Sequence, residues 1–216
     1  MIKVIVFDWD GVIVDSMPWI YKAMQEVLFS YGIKKSIDEI SNDFFQPRDE
    51  YYNSYGINIT DKEELDRRHK EAIKKYKIYD PLFPEVREVL HFLKNNNFQL
   101  GIGSSTGNGE IIRQLKVFEL ENIFENKLIL GGEENKVEKL QNFIKILNVP
   151  LNEILYIGDI SSDIIAAQTV GVKSAGIERR EKARKKLGAL NPDYLFSSLN
   201  DLRFTLEKQL ITNIGK

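Results

Sequence analysis

The sequence of 216 residues contains no cysteine. This absence excludes disulfide bonds, thiolate zinc sites and cysteine nucleophiles. A surplus of one charge is also lacking: 30 basic and 32 acidic side chains give a formal net charge of −2, so no overall positive field draws the protein to nucleic acid. No stretch approaches the roughly 18 apolar residues of a membrane span. We therefore expect a soluble, cytoplasmic monomer or homodimer with no nucleic acid or membrane partner.

Six short β-branched runs recur along the chain and are mostly separated by helical patterns. The runs are Val4–Phe7, Phe98–Gly103, Lys127–Leu130, Ile154–Ile157, Val172–Ala175 and Tyr194–Phe196. Near-continuous apolar strands that alternate with helices are typical of a parallel sheet covered on both faces. The sequence therefore predicts an α/β protein with a Rossmann-like parallel sheet and helices on both faces.

One interval after the first strand interrupts this alternation, because helical patterns dominate there. The clearest of them, Asp61–Lys77, is densely charged. We interpret the interval as an inserted helical domain of residues 16–83, which leaves residues 1–15 and 84–216 as the core. On the charged helix, His69 is expected to be exposed rather than catalytic.

Polar residues follow four of the predicted strands, at the point where each strand ends. In an open α/β sheet, ligands bind beyond these C-terminal ends. The residues are Asp8, Asp10 and Gly11 after the first strand, Ser104 and Ser105 after the second, Lys136 after the third, and Asp159 and Asp163 after the fourth. Each group alone is typical of a turn, a loop, a surface position or a helix cap. The prediction of a site depends on their occurrence together.

The chemistry of these groups is complementary. Carboxylates of Asp8, Asp10 and Asp159 that converged without a counter-charge would raise one another's pKa. A divalent cation removes that conflict, and Mg²⁺ suits a site shared between carboxylates and a phosphate. A lysine and a hydroxyl can hold phosphoryl oxygens, and a carboxylate can be the nucleophile that forms an aspartyl-phosphate. The sequence thus predicts Mg²⁺-dependent phosphoryl transfer, most simply by a phosphatase that acts on a small phosphorylated metabolite.

Spacing adds detail to this prediction. Side chains alternate along a strand, so Asp8 and Asp10 can face one site while Trp9 faces away. Gly11 permits a close approach of the backbone to a ligand. Asp163 shares a face with Asp159 if the backbone between them is already helical.

In these motifs the sequence resembles the haloacid dehalogenase-like hydrolase superfamily, particularly the branch with phosphoglycolate phosphatase and beta-phosphoglucomutase. The matching segments are Phe7–Ser16, Leu100–Ser104, Lys136, and Tyr156–Asp159 with Asp163–Ile164. The resemblance implies that Asp8 attacks phosphorus and that Asp10 protonates the leaving oxygen and then activates water. It also implies that Ser104 and Lys136 bind the phosphoryl group.

The resemblance further implies the metal ligands and a cap. Mg²⁺ would be held by Asp8, the backbone carbonyl of Asp10 and Asp159, with Asp163 supporting Asp159 or a metal-bound water. The inserted helices correspond in position to the family's cap, which closes over the core and selects substrate. There, Arg48 lies where beta-phosphoglucomutase-like members present a substrate-contacting arginine.

Three alternatives stay open at the level of sequence. The segment after Lys136 lacks the proline that usually follows this lysine in the family. Lys139 is therefore an alternative to Lys136 as the phosphate-binding residue. A sugar-phosphate mutase would use the same core, and Arg48 is the specific support for it. A phospho-accepting receiver-type signalling domain also combines acidic residues, a hydroxyl and a lysine, but the inserted helices and the Asp159–Asp163 pair disfavour it.

Overall fold

The computed structural model describes residues 1–57, 62–77, 80–132 and 134–214. The strands are β1 (Val4–Phe7), β2 (Gln99–Ser104), β3 (Ile129–Gly131), β4 (Ile154–Gly158), β5 (Lys173–Ile177) and β6 (Tyr194–Phe196). The helices are α1 (Met17–Ser30), α2 (Ile37–Asp43), α3 (Arg48–Asn53), α4 (Lys62–Tyr76), α5 (Val86–Asn95), α6 (Asn108–Val117), α7 (Lys136–Leu147), α8 (Ser161–Val170), α9 (Glu181–Gly188) and α10 (Leu199–Ile214). Every predicted run overlaps a strand, with ends shifted by at most two residues.

The strands form one parallel sheet in the order β3-β2-β1-β4-β5-β6. Strand β1 is central, because Val4 pairs with Gln99 of β2 on one side and with Ile154 of β4 on the other. The chain builds β2 and β3 on the first side and then crosses to β4, so the strand order reverses between β1 and β4. Ligands of open α/β sheets bind at such a reversal. The predicted Rossmann-like sheet is confirmed.

Both faces of the sheet are covered by helices, as predicted. In β1, Ile5 and Phe7 belong to an apolar cluster that also contains residues of α5, α6 and α10. The alternate residues, Val4 and Val6, belong to a second cluster with residues of α7 and α8. Since successive side chains of a strand point to opposite faces, an uninterrupted apolar strand is buried on both sides.

Helices α1–α4, called the helical segment below, are inserted between β1 and α5 and share an apolar cluster of their own. Met24 of α1, Ile40 of α2, Tyr52 of α3 and Leu65 of α4 are buried in it. The two connections to the sheet run side by side, since Val14 and Leu82 form an antiparallel bridge. Among the described residues, no helix is long and apolar enough to cross a membrane.

A buried polar network joins the helical segment to the sheet. The fully buried indole of Trp9 donates to Gln114 Oε1 at 3.1 Å. The Gln114 amide donates to Asp80 Oδ2 at 3.1 Å, and the indole of Trp19 in α1 donates to Asp80 Oδ1. Asp80 therefore links α1 to α6 and, through Gln114, to the residue after Asp8.

The expectation that His69 is exposed is wrong. Its exposed fraction is 9%, and its Nδ1 lies 3.2 Å from the hydroxyl of Tyr52. Leu65, His69 and Ala72 lie at helical spacing on the buried face of α4, which packs against α1. Burial, with a contribution from Arg48, lowers the pKa of His69 from 6.5 to about 4.

This burial predicts a loss of stability in mild acid. Between pH 6.5 and 4 the unfolded chain binds a proton at His69 that the folded chain does not, so stability falls with decreasing pH, by about 2 kcal/mol from pH 7 to 5. Urea unfolding of the wild type and of His69→Gln at both pH values measures this. The variant should lose most of that pH dependence, and His91→Gln, at an exposed histidine, should keep it. Equal pH dependence in all three proteins would contradict the burial of His69.

Candidate active site

Asp8 lies directly after β1, at the point where the strand order reverses. Its exposed fraction is 5%. Asp8 Oδ1 accepts a hydrogen bond from the Trp9 backbone N–H at 2.6 Å, and Oδ2 accepts one from Lys136 Nζ at 2.6 Å. The carboxylate is thus fixed in a buried position by one backbone and one charged donor.

Asp8, Asp159 and Asp163 form a cluster of carboxylates. One oxygen from each lies within 4.8 Å of the others. Asp159 follows β4, and Asp163 lies in the first turn of α8, where its Oδ2 accepts from the Ile160 backbone N–H at 3.1 Å. Gly158 makes room for this arrangement, since a Cβ there would lie 2.1 Å from Asp163 Cγ. Asp8 and Asp159, two of the three carboxylates that the sequence predicted to converge, are therefore brought together, with Asp163 as the third member in place of Asp10.

The electrostatics of this cluster fit a divalent cation. Burial raises the pKa of Asp159 well above its ordinary value, and Asp163 and Asp8 raise it further. Burial also raises the pKa of Asp163, against the opposing effect of Lys136. Buried carboxylates with this conflict are stabilised in the charged form by a hard cation with oxygen ligands. The three side chains could therefore hold a metal ion.

Lys136, the first residue of α7, bridges two of these carboxylates. Its ammonium donates to Asp8 Oδ2 and Asp163 Oδ1. Burial would lower the pKa of Lys136, but Asp163 and Asp8 outweigh it and raise the pKa well above its ordinary value. Lys139 instead donates to the carbonyls of Gly132 and Glu134, both at 2.6 Å. Of the two candidate lysines, Lys136 is the one that contacts Asp8.

Asp10 points to a different set of partners from Asp8. Its Oδ2 accepts a hydrogen bond from Thr106 Oγ1 at 2.6 Å, and burial raises the pKa of its carboxyl although this hydrogen bond lowers it. Ser104 is buried, and its Oγ accepts from the Thr106 backbone N–H at 3.2 Å, whereas Ser105 is exposed. Sequence reasoning selected the neighbouring serines and missed Thr106. Its only signal in the sequence was a hydroxyl two residues after Ser104.

Gly11 lies closer to a carboxylate than the sequence suggested. Its φ is +73°, in the left-handed region that favours glycine. A Cβ at this position would lie 2.2 Å from Asp159 Oδ2 and 2.7 Å from Asp159 Cγ. The absence of a side chain at residue 11 therefore lets Asp159 approach the backbone beside Asp10.

Gly11→Ala is expected to lower kcat by about 10- to 100-fold, because Asp159 must move away from the added methyl group. The divalent-metal concentration that gives half-maximal activity should rise in parallel if Asp159 helps to hold a metal ion. A matched control is Gly32→Ala, whose φ is +77° but whose added Cβ meets nothing within 4 Å. It should lose about 1 kcal/mol of stability from backbone strain while kcat is unchanged. Equal kcat values for the two variants would show that the contact with Asp159 has no effect.

Arg48, which the sequence predicted to be a site residue, pairs with carboxylates of the helical segment. It begins α3, and its guanidinium donates to Asp49 Oδ1 at 2.9 Å and to Asp66 Oδ1 at 2.6 Å. Both partners belong to the helical segment. The structure therefore pairs the Arg48 charge within that segment and not with the residues at the strand ends.

The parallel sheet and the acidic cluster at its reversal define an α/β enzyme with a site for charged ligands. The haloacid dehalogenase-like hydrolase family model matches residues 5–177. The chain belongs to this family of hydrolases. The pyrophosphatase PpaX of Bacillus cereus (strain B4264) is 24% identical over 212 residues, which cover 93% of this chain and 94% of that protein.

Solved structures show the same fold. A predicted phosphatase from Clostridium acetobutylicum superposes with a TM-score of 0.80 at 20% identity and covers 96% of this chain and 99% of its own. A predicted phosphoglycolate phosphatase from Haemophilus somnus gives a TM-score of 0.71 at 20% identity, with 94% and 98% covered. The fold class expected from the sequence is thus found in independently determined structures.

Proposed function

We propose that this chain is a Mg²⁺-dependent phosphatase that hydrolyses a small phosphorylated metabolite through an aspartyl-phosphate on Asp8. The observation that carries the proposal is that Asp8 and Asp10, two residues apart in the sequence, have different partners. Asp8 is a member of the carboxylate cluster and is held by Lys136, whereas Asp10 is held by Thr106. The relatives named above as pyrophosphatase and phosphoglycolate phosphatase support phosphate chemistry.

In the first step, an Asp8 oxygen forms a bond to phosphorus while the bond between phosphorus and the leaving oxygen breaks. Asp10 gives its proton to that oxygen, and its buried position favours the protonated form. In the second step, water attacks the phosphorus of the aspartyl-phosphate and Asp10 takes the water's proton. Phosphate leaves and Asp8 is regenerated as a carboxylate.

The remaining residues neutralise and position the phosphoryl group. Lys136 and the hydroxyl of Ser104 would bind its oxygens. Asp8, the backbone carbonyl of Asp10 and Asp159 would hold Mg²⁺, with Asp163 in support. When bound, the ion would offset the negative charge that accumulates between the phosphoryl oxygens and the carboxylates.

We also propose that residues 16–83 act as a cap domain over this site. The Ser161 backbone N–H donates to Phe45 O at 2.7 Å, so the helical segment contacts the core at the start of α8, two residues after Asp159. A phosphatase is favoured over the mutase alternative because Arg48, which the mutase reading invoked, is paired with Asp49 and Asp66. Closure of such a cap would exclude water from the aspartyl-phosphate until hydrolysis.

The experiment is a phosphate-release assay over a panel of phosphate esters, phosphoglycolate, pyrophosphate and hexose phosphates, with Mg²⁺ or with EDTA. We expect Mg²⁺-dependent release from at least one compound and recovery after Mg²⁺ is restored. Release from none of them would overturn the proposal. Interconversion of hexose phosphates without net release of phosphate would show that the protein is a sugar-phosphate mutase and not a phosphatase.

A further inference from the structure

A cavity of about 410 Å³ lies between the helical segment and the C-terminal ends of β1, β4 and β5. Tyr21 and Ile37 line it from the helical segment, and Phe83, which belongs to an apolar cluster on the sheet, also lines it. Gly11 and Asp159 also line it, so the cavity opens directly beside the residue that follows Asp10. The cavity therefore borders Asp159, whose carboxylate has an oxygen within 4.8 Å of an Asp8 oxygen.

The hydroxyl of Tyr21 is unpartnered in this cavity. Tyr21 has an exposed fraction of 6%, and its buried hydroxyl has no hydrogen-bond partner. The ring is fixed by an edge-to-face contact with Phe44, with ring centroids 6.4 Å apart. A buried hydroxyl without a partner is unfavourable, and a hydrogen bond to a ligand oxygen would remove that penalty. The hydroxyl is thus an available donor in a largely apolar cavity.

The charged groups of the cavity already neutralise one another. Arg180 Nε donates to Glu178 Oε1 at 2.8 Å, and the guanidinium also donates to the Ser41 carbonyl. Arg179 donates to Glu85 Oε1 at 2.5 Å and lies with its guanidinium carbon 3.5 Å from the centre of the Phe83 ring.

A further carboxylate, that of Asp15, lines the cavity beside these pairs. Each of the two guanidiniums therefore has a carboxylate partner, and Asp15 adds negative charge. A second anionic group on a substrate would meet repulsion here rather than an available cation.

We propose that this cavity binds the leaving alcohol of the substrate, and that the substrate class is a phosphate monoester of an uncharged alcohol with an oxygen that accepts from Tyr21. This inference rests on the proposed function, because it assumes that the phosphoryl group reacts at Asp8. It excludes as preferred substrates compounds with a second anionic group, including phosphoglycolate and pyrophosphate. Tyr21 is then a specificity-determining residue.

The charge test compares two probes of nearly the same size, 4-(hydroxymethyl)phenyl phosphate and 4-carboxyphenyl phosphate. We expect kcat/KM to be at least about 10-fold higher for the uncharged probe. Asp15→Asn should reduce that preference, since it removes a carboxylate from the wall. A preference for the carboxyphenyl probe, or for phosphoglycolate or pyrophosphate over every uncharged ester, would overturn the proposed substrate class.

The hydroxyl test uses Tyr21→Phe. Its kcat/KM for the hydroxymethyl probe should fall about 5- to 10-fold, whereas that for phenyl phosphate should not change. The variant should be at least as stable as the wild type in urea, because the deleted hydroxyl has no partner. An equal loss on both probes would remove Tyr21 from substrate recognition.

A third test, which reduces the cavity volume, distinguishes the role of the cavity in substrate binding from the hydrolysis reaction itself. Ile37→Trp should fill the cavity and lower kcat/KM for the aryl phosphates at least about 10-fold, with a smaller effect on acetyl phosphate, whose leaving group is small. Ile211→Trp, at an exposed position, is the control. Unchanged aryl phosphate hydrolysis by Ile37→Trp would overturn the proposed role of the cavity and leave the proposed function intact. Absence of hydrolysis of every probe by the wild type would overturn both.

Discussion

Asp8→Asn is expected to lower kcat by at least about 10⁴-fold, to the limit of detection. An amide of the same shape cannot supply the carboxylate oxygen that bonds to phosphorus. The change also removes one of the two anions that hold the Lys136 ammonium. The measurement is phosphate release with the best substrate of the panel, at saturating Mg²⁺.

The controls for this prediction concern folding and charge. Asp38→Asn makes the same chemical change at an exposed aspartate of α2 and should keep full activity. Circular dichroism and urea unfolding should show that Asp8→Asn is folded. A folded Asp8→Asn variant with substantial turnover would remove Asp8 from the nucleophile role.

Asp10→Asn is expected to lower kcat by about 10²- to 10⁴-fold for alkyl phosphates, since an alkoxide leaves poorly without a proton. With 4-nitrophenyl phosphate, the leaving group needs no acid, and only the second step loses its base. Nitrophenol should then appear in a burst equal to the enzyme concentration, followed by slow turnover. Rapid-quench kinetics measures the burst and the steady rate separately.

A matched variant tests how Asp10 is held. Thr106→Val removes the hydroxyl that donates to Asp10 Oδ2 and keeps a side chain of similar shape. Its loss in kcat should be smaller than that of Asp10→Asn and should show the same dependence on the leaving group. An Asp10→Asn variant that loses the same factor with alkyl and nitrophenyl esters, and shows no burst, would contradict an acid–base role.

Much of this site could be predicted from sequence, because strand ends of a parallel sheet meet at one edge. Asp8 and Asp159 follow apolar runs that are recognisable without a structure, and neighbouring strands β1 and β4 bring them together. Lys136 was placed after the third strand by the same reasoning, and the structure shows how it is positioned. Asn135 caps α7 by accepting from the Glu138 backbone N–H at 2.9 Å, and this cap puts Lys136 at the first position.

The features that sequence did not reveal depend on contacts between distant elements. Thr106 matters because the loop after β2 returns to Asp10. Tyr21 matters because α1 lies beside residues that follow β5, such as Arg180. His69 is buried because α4 packs against α1, although most of its neighbours in the chain are charged. Arg48 has carboxylate partners whose spacing, at residues 49 and 66, gives no hint that they converge.

The central claim is that Asp8 carries the phosphoryl group during turnover. Acid quench in a single turnover, reduction with borohydride and peptide mass spectrometry test it most directly, since borohydride converts an aspartyl-phosphate to homoserine. We predict homoserine at position 8, dependent on substrate and Mg²⁺, with Asp10 and Asp159 unmodified. It should be more abundant in Asp10→Asn with 4-nitrophenyl phosphate, where the second step is slow. Homoserine at another aspartate, or at none while phosphate is released, would contradict the claim.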